Sequence, residues 1–145
     1  LAAHHGGVAP RPQVEQRPVR SLEEIAVENA VEGCVRETFG ALVGGFQARA
    51  ARDANVRQAM RVVARDELRH ASLAWAVDAW IRTQLPAESL RRVDEARDAA
   101  LTMLLDEAQK EPHPDLVREA GVPDARQATE LARRFGEEIS RTASA

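Results

Sequence analysis

Apolar residues recur every three or four positions through two long stretches in the first half of the chain, which is the period of an amphipathic α-helix. The first stretch covers about 22–49, and Ser21 followed by Glu24 forms the capping-box pattern that starts a helix. The second covers about 54–83 and follows Asp53, another favourable N-cap residue. Because the turn between them is very short, the two helices are predicted to be antiparallel neighbours.

Shorter helices are predicted after Pro86, where the long pattern breaks. Proline and glycine mark where they begin and end. The elements are a helix at about 87–110, a short helix at 114–120 with Gly121 as its C-terminal cap, and a last helix to about 141 with Pro123 at its first helical position.

Residues 1–20 contain three prolines and a glycine pair with almost no apolar period, which predicts a linker or crossover loop. His4 and His5 are interpreted as part of this linker rather than as a metal site. The predicted fold is all-α, an antiparallel helical bundle in which a hairpin at 21–84 is followed by C-terminal helices at 85–145 that pack on it. The chain opens without Met or a signal-peptide pattern, so we expect it to be the interior of a longer protein.

Composition and charge argue against several classes of function. The chain is 44% hydrophobic and 30% charged, which is typical of a folded domain. Its net charge is −3 and no basic stripe is present, so a nucleic-acid partner is not expected. The apolar runs are too short for a membrane span. Cys34 is the single cysteine, which excludes a disulfide within the chain and a cysteine-rich zinc site.

The sharpest motif is Glu67-x-x-His70 in the second predicted helix. Residues three apart share a helix face, and this pair lies in phase with the apolar stripe, so both side chains should point toward a neighbouring helix. A carboxylate and an imidazole together suit Fe, Mn or Zn. The alternative is an ordinary surface pair, because Glu-x-x-His occurs by chance in many helices.

Two glutamates in the first helix are candidates for a third ligand. Glu32 lies 35 residues before Glu67, and Glu37 lies 30 before it. In a tight hairpin centred near Asp53, Glu37 has the same depth as Glu67 and His70. If the first helix ends near 48, Glu32 becomes level instead, so the depth argument leaves both open.

Residues 32–39 (EGCVRETF) followed by 64–71 (ARDELRHA) resemble one half, the C-terminal half, of a ferritin-like (rubrerythrin-type) domain of the di-iron carboxylate superfamily. In such halves the first ligand glutamate is commonly followed seven residues later by an aromatic residue beside the metals, as Phe39 follows Glu32. The 35-residue gap to Glu67 is also typical of the family. The resemblance therefore favours Glu32 as the first ligand and keeps Glu37 as its rival.

The resemblance implies a site for two Fe ions, or Mn, with Glu67, His70 and the first-helix glutamate as ligands. It also implies O₂ or peroxide oxidoreductase chemistry or ferroxidase activity. No second Glu-x-x-His follows Pro86, so the remaining ligands must come from the N-terminal half of the same protein or from a homodimer partner. The alternative is a degenerate site in a metal-free interaction or structural domain. In the half-bundle case we expect the chain to dimerise or to expose an apolar surface.

Overall fold

The computed structural model describes residues 6–8, 12–13 and 18–143, with side chains described as far as residue 141. Most of the predicted linker at 1–20, including His4 and His5, lies outside the described residues. Every regular element in the described part of the chain is a helix, which confirms the all-α prediction. No helix there is both long and apolar enough to cross a lipid bilayer.

Helix α1 covers residues 22–50, and Ser21 is its N-cap, as predicted. The Ser21 hydroxyl accepts a hydrogen bond from the Glu24 N–H at 3.2 Å, and the Glu24 carboxylate accepts one from the Ser21 N–H at 2.7 Å. This reciprocal pair satisfies two of the backbone donors that a helix start leaves free. The helix has an α-helical start, Leu22–Glu28, a π-helical segment, Asn29–Glu37, and an α-helical end, Thr38–Ala50.

The π segment, Asn29–Glu37, is a feature that the apolar pattern did not predict. In an α-helix each N–H bonds to the carbonyl four residues earlier, whereas in a π-helix it bonds five residues earlier and the turn is wider. Over a segment this short, an α-helix and a π-helix give nearly the same pattern of apolar positions. Four small or apolar residues of the segment are buried. Those residues are Ala30, Gly33, Cys34 and Val35.

Helix α2, Ala54–Arg82, begins at the predicted residue. The Asp53 carboxylate accepts hydrogen bonds from the N–H groups of Asn55 and Val56 at 2.6 and 3.3 Å, which caps the helix.

Two close approaches of glycine to alanine fix the relative direction of α1 and α2. Gly44 lies against Ala64 near the turn, and Gly33 lies against Ala74 farther from it. Later residues of one helix therefore meet earlier residues of the other, so the two helices run in opposite directions. The missing Cβ of each glycine is what lets the backbones approach.

Three further helices follow the hairpin: α3, Ala87–Ala108; α4, Pro114–Ala120; and α5, Ala125–Ala143. Gly121 ends α4 in the left-handed conformation with a φ of 65°, which confirms the predicted cap. A side chain is excluded there, because a Cβ on Gly121 would lie 2.2 Å from the backbone nitrogen of Ala51.

The predicted start of α5 is wrong by two residues. The Asp124 carboxylate accepts a hydrogen bond from the Gln127 N–H at 2.8 Å, and the Gln127 side chain accepts one from the Asp124 N–H at 3.1 Å. Asp124 is therefore the cap, and Pro123 lies before the helix rather than in its first turn.

Helix α1 is central, because it contacts α2 along its length, α3 through the π segment and α5 through its last segment. The main core cluster fills the space between α1, α3 and α5, with Trp75 of α2 packed against it. A second cluster joins the start of α1 to the end of α2 and to α3 through Ala26, Ala30, Ile81 and Val93. The buried members of the main cluster are Val35, Ala100, Leu104, Ala108, Ala132, Phe135 and Ile139.

Candidate metal centre

Glu37, Glu67 and His70 converge between α1 and α2. One ligand atom from each of the three side chains lies within 4.8 Å of the other two. The Glu67 Oε2 atom is 3.8 Å from the His70 Nδ1 atom, as expected for residues three apart on a helix. Glu37 comes from the other helix, where it is the last residue of the π segment. The group is therefore built across the hairpin and not within a single helix.

Two of the three residues, Glu37 and His70, line an open groove of about 460 Å³ between α1 and α2. Glu28, Glu32 and Glu37 of α1 line it together with His70 of α2. In a continuous α-helix, residues five apart would point about 140° away from each other. In the wider π-helix, five residues make little more than one turn, so Glu32 and Glu37 come to the same side.

The glutamates of this groove differ in their charge partners. Glu28 pairs with Arg20, and Glu32 pairs with Arg36 at 3.6 Å. Among the described residues, no lysine or arginine lies within ion-pair distance of Glu37 or Glu67, and His70 is the one ion-pair partner of Glu67. The two carboxylates thus face an imidazole with no arginine or lysine paired directly to them, which is a charge arrangement that a bound metal ion would balance.

The geometry separates the two first-helix candidates. Glu37, and not Glu32, joins the group with Glu67 and His70. The first helix continues to Ala50, past the end near 48 at which Glu32 would have become level. Glu32 as the first ligand stays a prediction.

Phe39, the aromatic residue of the resemblance, packs against the main core cluster. Its ring centroid lies 6.3 Å from that of Phe135 in α5. Phe39 therefore contributes to the contact that holds α1 on α5.

The donor set fits a divalent transition metal. Two carboxylates and one imidazole suit Fe, Mn and Zn, but three donors leave coordination positions open. The His70 side chain is 58% exposed and that of Glu67 is 33% exposed. Further ligands would therefore have to approach from outside the hairpin, over the open groove.

Asn29 is a neighbour of the site that sequence reasoning missed. Its Nδ2 atom donates a hydrogen bond to the Ala74 carbonyl of α2 at 2.9 Å and lies 3.7 Å from the Cys34 sulfur. The contact with α2 gives no signal in the sequence, because Ala74 is 45 residues away. Cys34 is fully buried, and burial raises the pKa of its thiol to about 12, which keeps it protonated and unreactive.

Comparison of the chain with protein-family models, with curated proteins and with solved structures gave no match.

Proposed function

We propose that the chain is a ferritin-like metal-binding protein that contributes half of a dinuclear carboxylate site. The observation that carries the proposal is the convergence of Glu37, Glu67 and His70 within 4.8 Å, with no arginine or lysine of the described residues within ion-pair distance of either carboxylate. A structural ion pair would not need three such groups together, whereas a metal ion would use all of them.

Iron is the metal that we propose, with manganese as the alternative. Both accept carboxylate oxygen together with imidazole nitrogen. The proposed activity is oxidation with O₂ or peroxide, or oxidation of ferrous iron, as the resemblance of residues 32–39 and 64–71 implies. In this chain Glu67 would bridge or chelate, His70 would bind through a ring nitrogen, and Glu37 would supply the carboxylate of the first helix.

The proposed site needs a second half. Dinuclear carboxylate sites in helical bundles take one glutamate from each of two helices and a Glu-x-x-His pair from each of the other two. This chain offers one of each, so the α1–α2 hairpin would form half of an antiparallel bundle. The other half would be the N-terminal part of the same protein or a second copy of the chain.

The apolar surface beside the groove supports the proposed partner. Ile25 and Leu73 line the groove and are exposed, Leu73 to 65%. Val63 lies seven residues before His70, and Trp80 lies seven after Leu73, so the exposed side chains of these two residues continue the same face of α2. An apolar strip of this kind on a helix is typical of a surface that another helix covers.

The same strip favours a second candidate function, a metal-free interaction domain. In that case the partner would bind through the apolar side chains, and the carboxylates would form its polar rim. The two functions differ in one respect, because the interaction domain needs none of Glu37, Glu67 or His70 for its role.

Titration with Co²⁺ tests the proposal, because its visible absorption reports nitrogen and oxygen ligands directly. We expect the wild-type protein to bind Co²⁺, and Glu37→Gln and Glu67→Gln each to weaken binding by more than about tenfold. Glu95→Gln, on the exposed face of α3, is the control and should leave binding unchanged. Equal binding by the wild type and both site variants would contradict the proposal.

Glu32→Gln is the second comparison, since Glu32 lines the same groove. Because Glu32 already pairs with Arg36, its loss should weaken binding less than the loss of Glu37. The reverse order would assign the first ligand to Glu32.

A further inference from the structure

The first residue of the π segment makes a hydrogen bond to α2, and its last residue is a candidate metal ligand. Its first residue, Asn29, donates a hydrogen bond from Nδ2 to the Ala74 carbonyl at 2.9 Å. Its last residue, Glu37, belongs to the group with Glu67 and His70. Ala74 lies one helical turn after His70 on α2, so the Asn29 bond ties the start of the segment to α2 close to the imidazole.

The contact at Asn29 is tightly packed. A Cβ on Gly33 would lie 2.5 Å from the Cβ of Ala74 and 3.1 Å from Oδ1 of Asn29. The Asn29 amide therefore fills the space beside Gly33, against α2. Asn29, Gly33 and Ala74 form one junction, and this junction fixes how the segment is rotated relative to α2.

The helix type between the two contacts decides where Glu37 points. Eight residues separate Asn29 from Glu37, which is more than two turns of an α-helix and less than two turns of a π-helix. If the segment became α-helical with Asn29 held in place, the Glu37 carboxylate would turn away from Glu67 and His70. A π-helix is rare and needs compensating interactions, which the junction supplies.

We infer that Asn29 is a positioning residue: its bond to Ala74 holds the π-helical form of the segment and thereby keeps Glu37 beside Glu67 and His70. Asn29 does so without contact to the metal. The consequence for metal affinity rests on the proposed function, but the placement of Glu37 does not.

A cross-linking experiment tests the placement without metal. Glu37→Cys and His70→Cys are combined in one protein and treated with a short bifunctional thiol reagent, and the buried Cys34 is replaced by alanine in every variant so that only the two new thiols can react. We expect efficient cross-linking, and a several-fold lower yield when Asn29→Ala is added.

Gln47→Ala is the matched control. The Gln47 side chain also donates from its amide to a backbone carbonyl on another element, that of Ala120 at 3.1 Å, but it lies outside the π segment. Its loss should lower stability as the loss of the Asn29 amide does, and it should leave the cross-linking yield unchanged. Equal yields in the two variants would overturn the inference.

Co²⁺ binding is measured separately from cross-linking. In the protein with native Glu37 and His70, Asn29→Ala should weaken Co²⁺ binding at least tenfold, and Gln47→Ala should not. If the wild type binds no Co²⁺, the proposed function fails, and the cross-linking comparison still decides whether Asn29 places Glu37.

Discussion

Gly33 lies so close to Ala74 that a Cβ on the glycine would stand 2.5 Å from the alanine Cβ. Real Cβ atoms do not approach so closely, so Gly33→Ala must push α1 from α2. We expect a loss of about 1–3 kcal/mol in the free energy of unfolding, as for other overpacked sites. Urea denaturation of the wild type and the variant measures this loss.

Gly40→Ala in the same helix is the control for this prediction. A Cβ at Gly40 would meet no atom within 4 Å. The alanine should raise the free energy of unfolding by about 0.5–1 kcal/mol, because glycine costs conformational entropy in a helix. A similar effect at both positions would show that the close approach at Gly33 does not exist in solution.

A network of charged side chains joins α2 to α3. The buried Asp78 carboxylate accepts a hydrogen bond from Arg82 Nε at 2.8 Å, and Arg82 also bonds to Asp94 at 2.6 Å. Asp78→Ala leaves the guanidinium of Arg82 with one partner in a partly buried place. We expect a loss of about 2–3 kcal/mol in the free energy of unfolding, somewhat less than for a fully buried pair.

Asp66→Ala is the comparison for Asp78. Asp66 pairs with Arg69 at 3.0 Å on the exposed side of α2. Exposed ion pairs of this spacing contribute about 0.5 kcal/mol or less. If Asp78→Ala lowers the free energy of unfolding no more than Asp66→Ala does, the network has no role in the packing of α3 on α2.

Acid should weaken the contact between the start of α1 and α3. The Glu23 carboxylate accepts hydrogen bonds from Arg92 and Ser89, and these bonds lower the pKa of Glu23 from 4.5 to about 2. In the unfolded chain Glu23 takes up its proton near pH 4.5. Its contribution to stability is therefore complete above pH 4.5 and is lost as the pH falls toward 2.

Glu23→Gln tests this dependence, because the amide does not titrate. We expect the variant to be less stable than the wild type at pH 6 and the difference to shrink between pH 4.5 and pH 2. Thermal unfolding across this range measures it, with Glu95→Gln as the control. A constant difference between wild type and Glu23→Gln at all these pH values would contradict the assignment.

Helix ends were predictable from the sequence wherever their chemistry is local. Ser21 with Glu24, Asp53 and Gly121 act within a few residues of themselves, and the structure confirms all three. Asp124 was missed because Pro123 gave a competing signal for the same helix start.

The π segment could not be predicted, because it depends on contacts between residues far apart in the chain. The Asn29 bond to Ala74 and the approach of Gly33 to Ala74 form only once α1 and α2 have paired. Spacing left Glu32 and Glu37 open because their depth relative to Glu67 depends on where the first helix ends, and the sequence pattern gives that end only to within a few residues. The Glu67-x-x-His70 pair could be predicted because its two residues lie within one turn of the same helix.

The metal content of the protein after anaerobic loading with ferrous iron tests the central claim most directly. Excess iron is removed by gel filtration, and bound iron is counted per chain for the wild type and for Glu67→Ala. The account predicts at least one iron per wild-type chain and a clear loss in the variant, because Glu67 supplies one of the three ligand atoms that lie within 4.8 Å of one another. Less than one iron per wild-type chain, with no difference from Glu67→Ala, would contradict it.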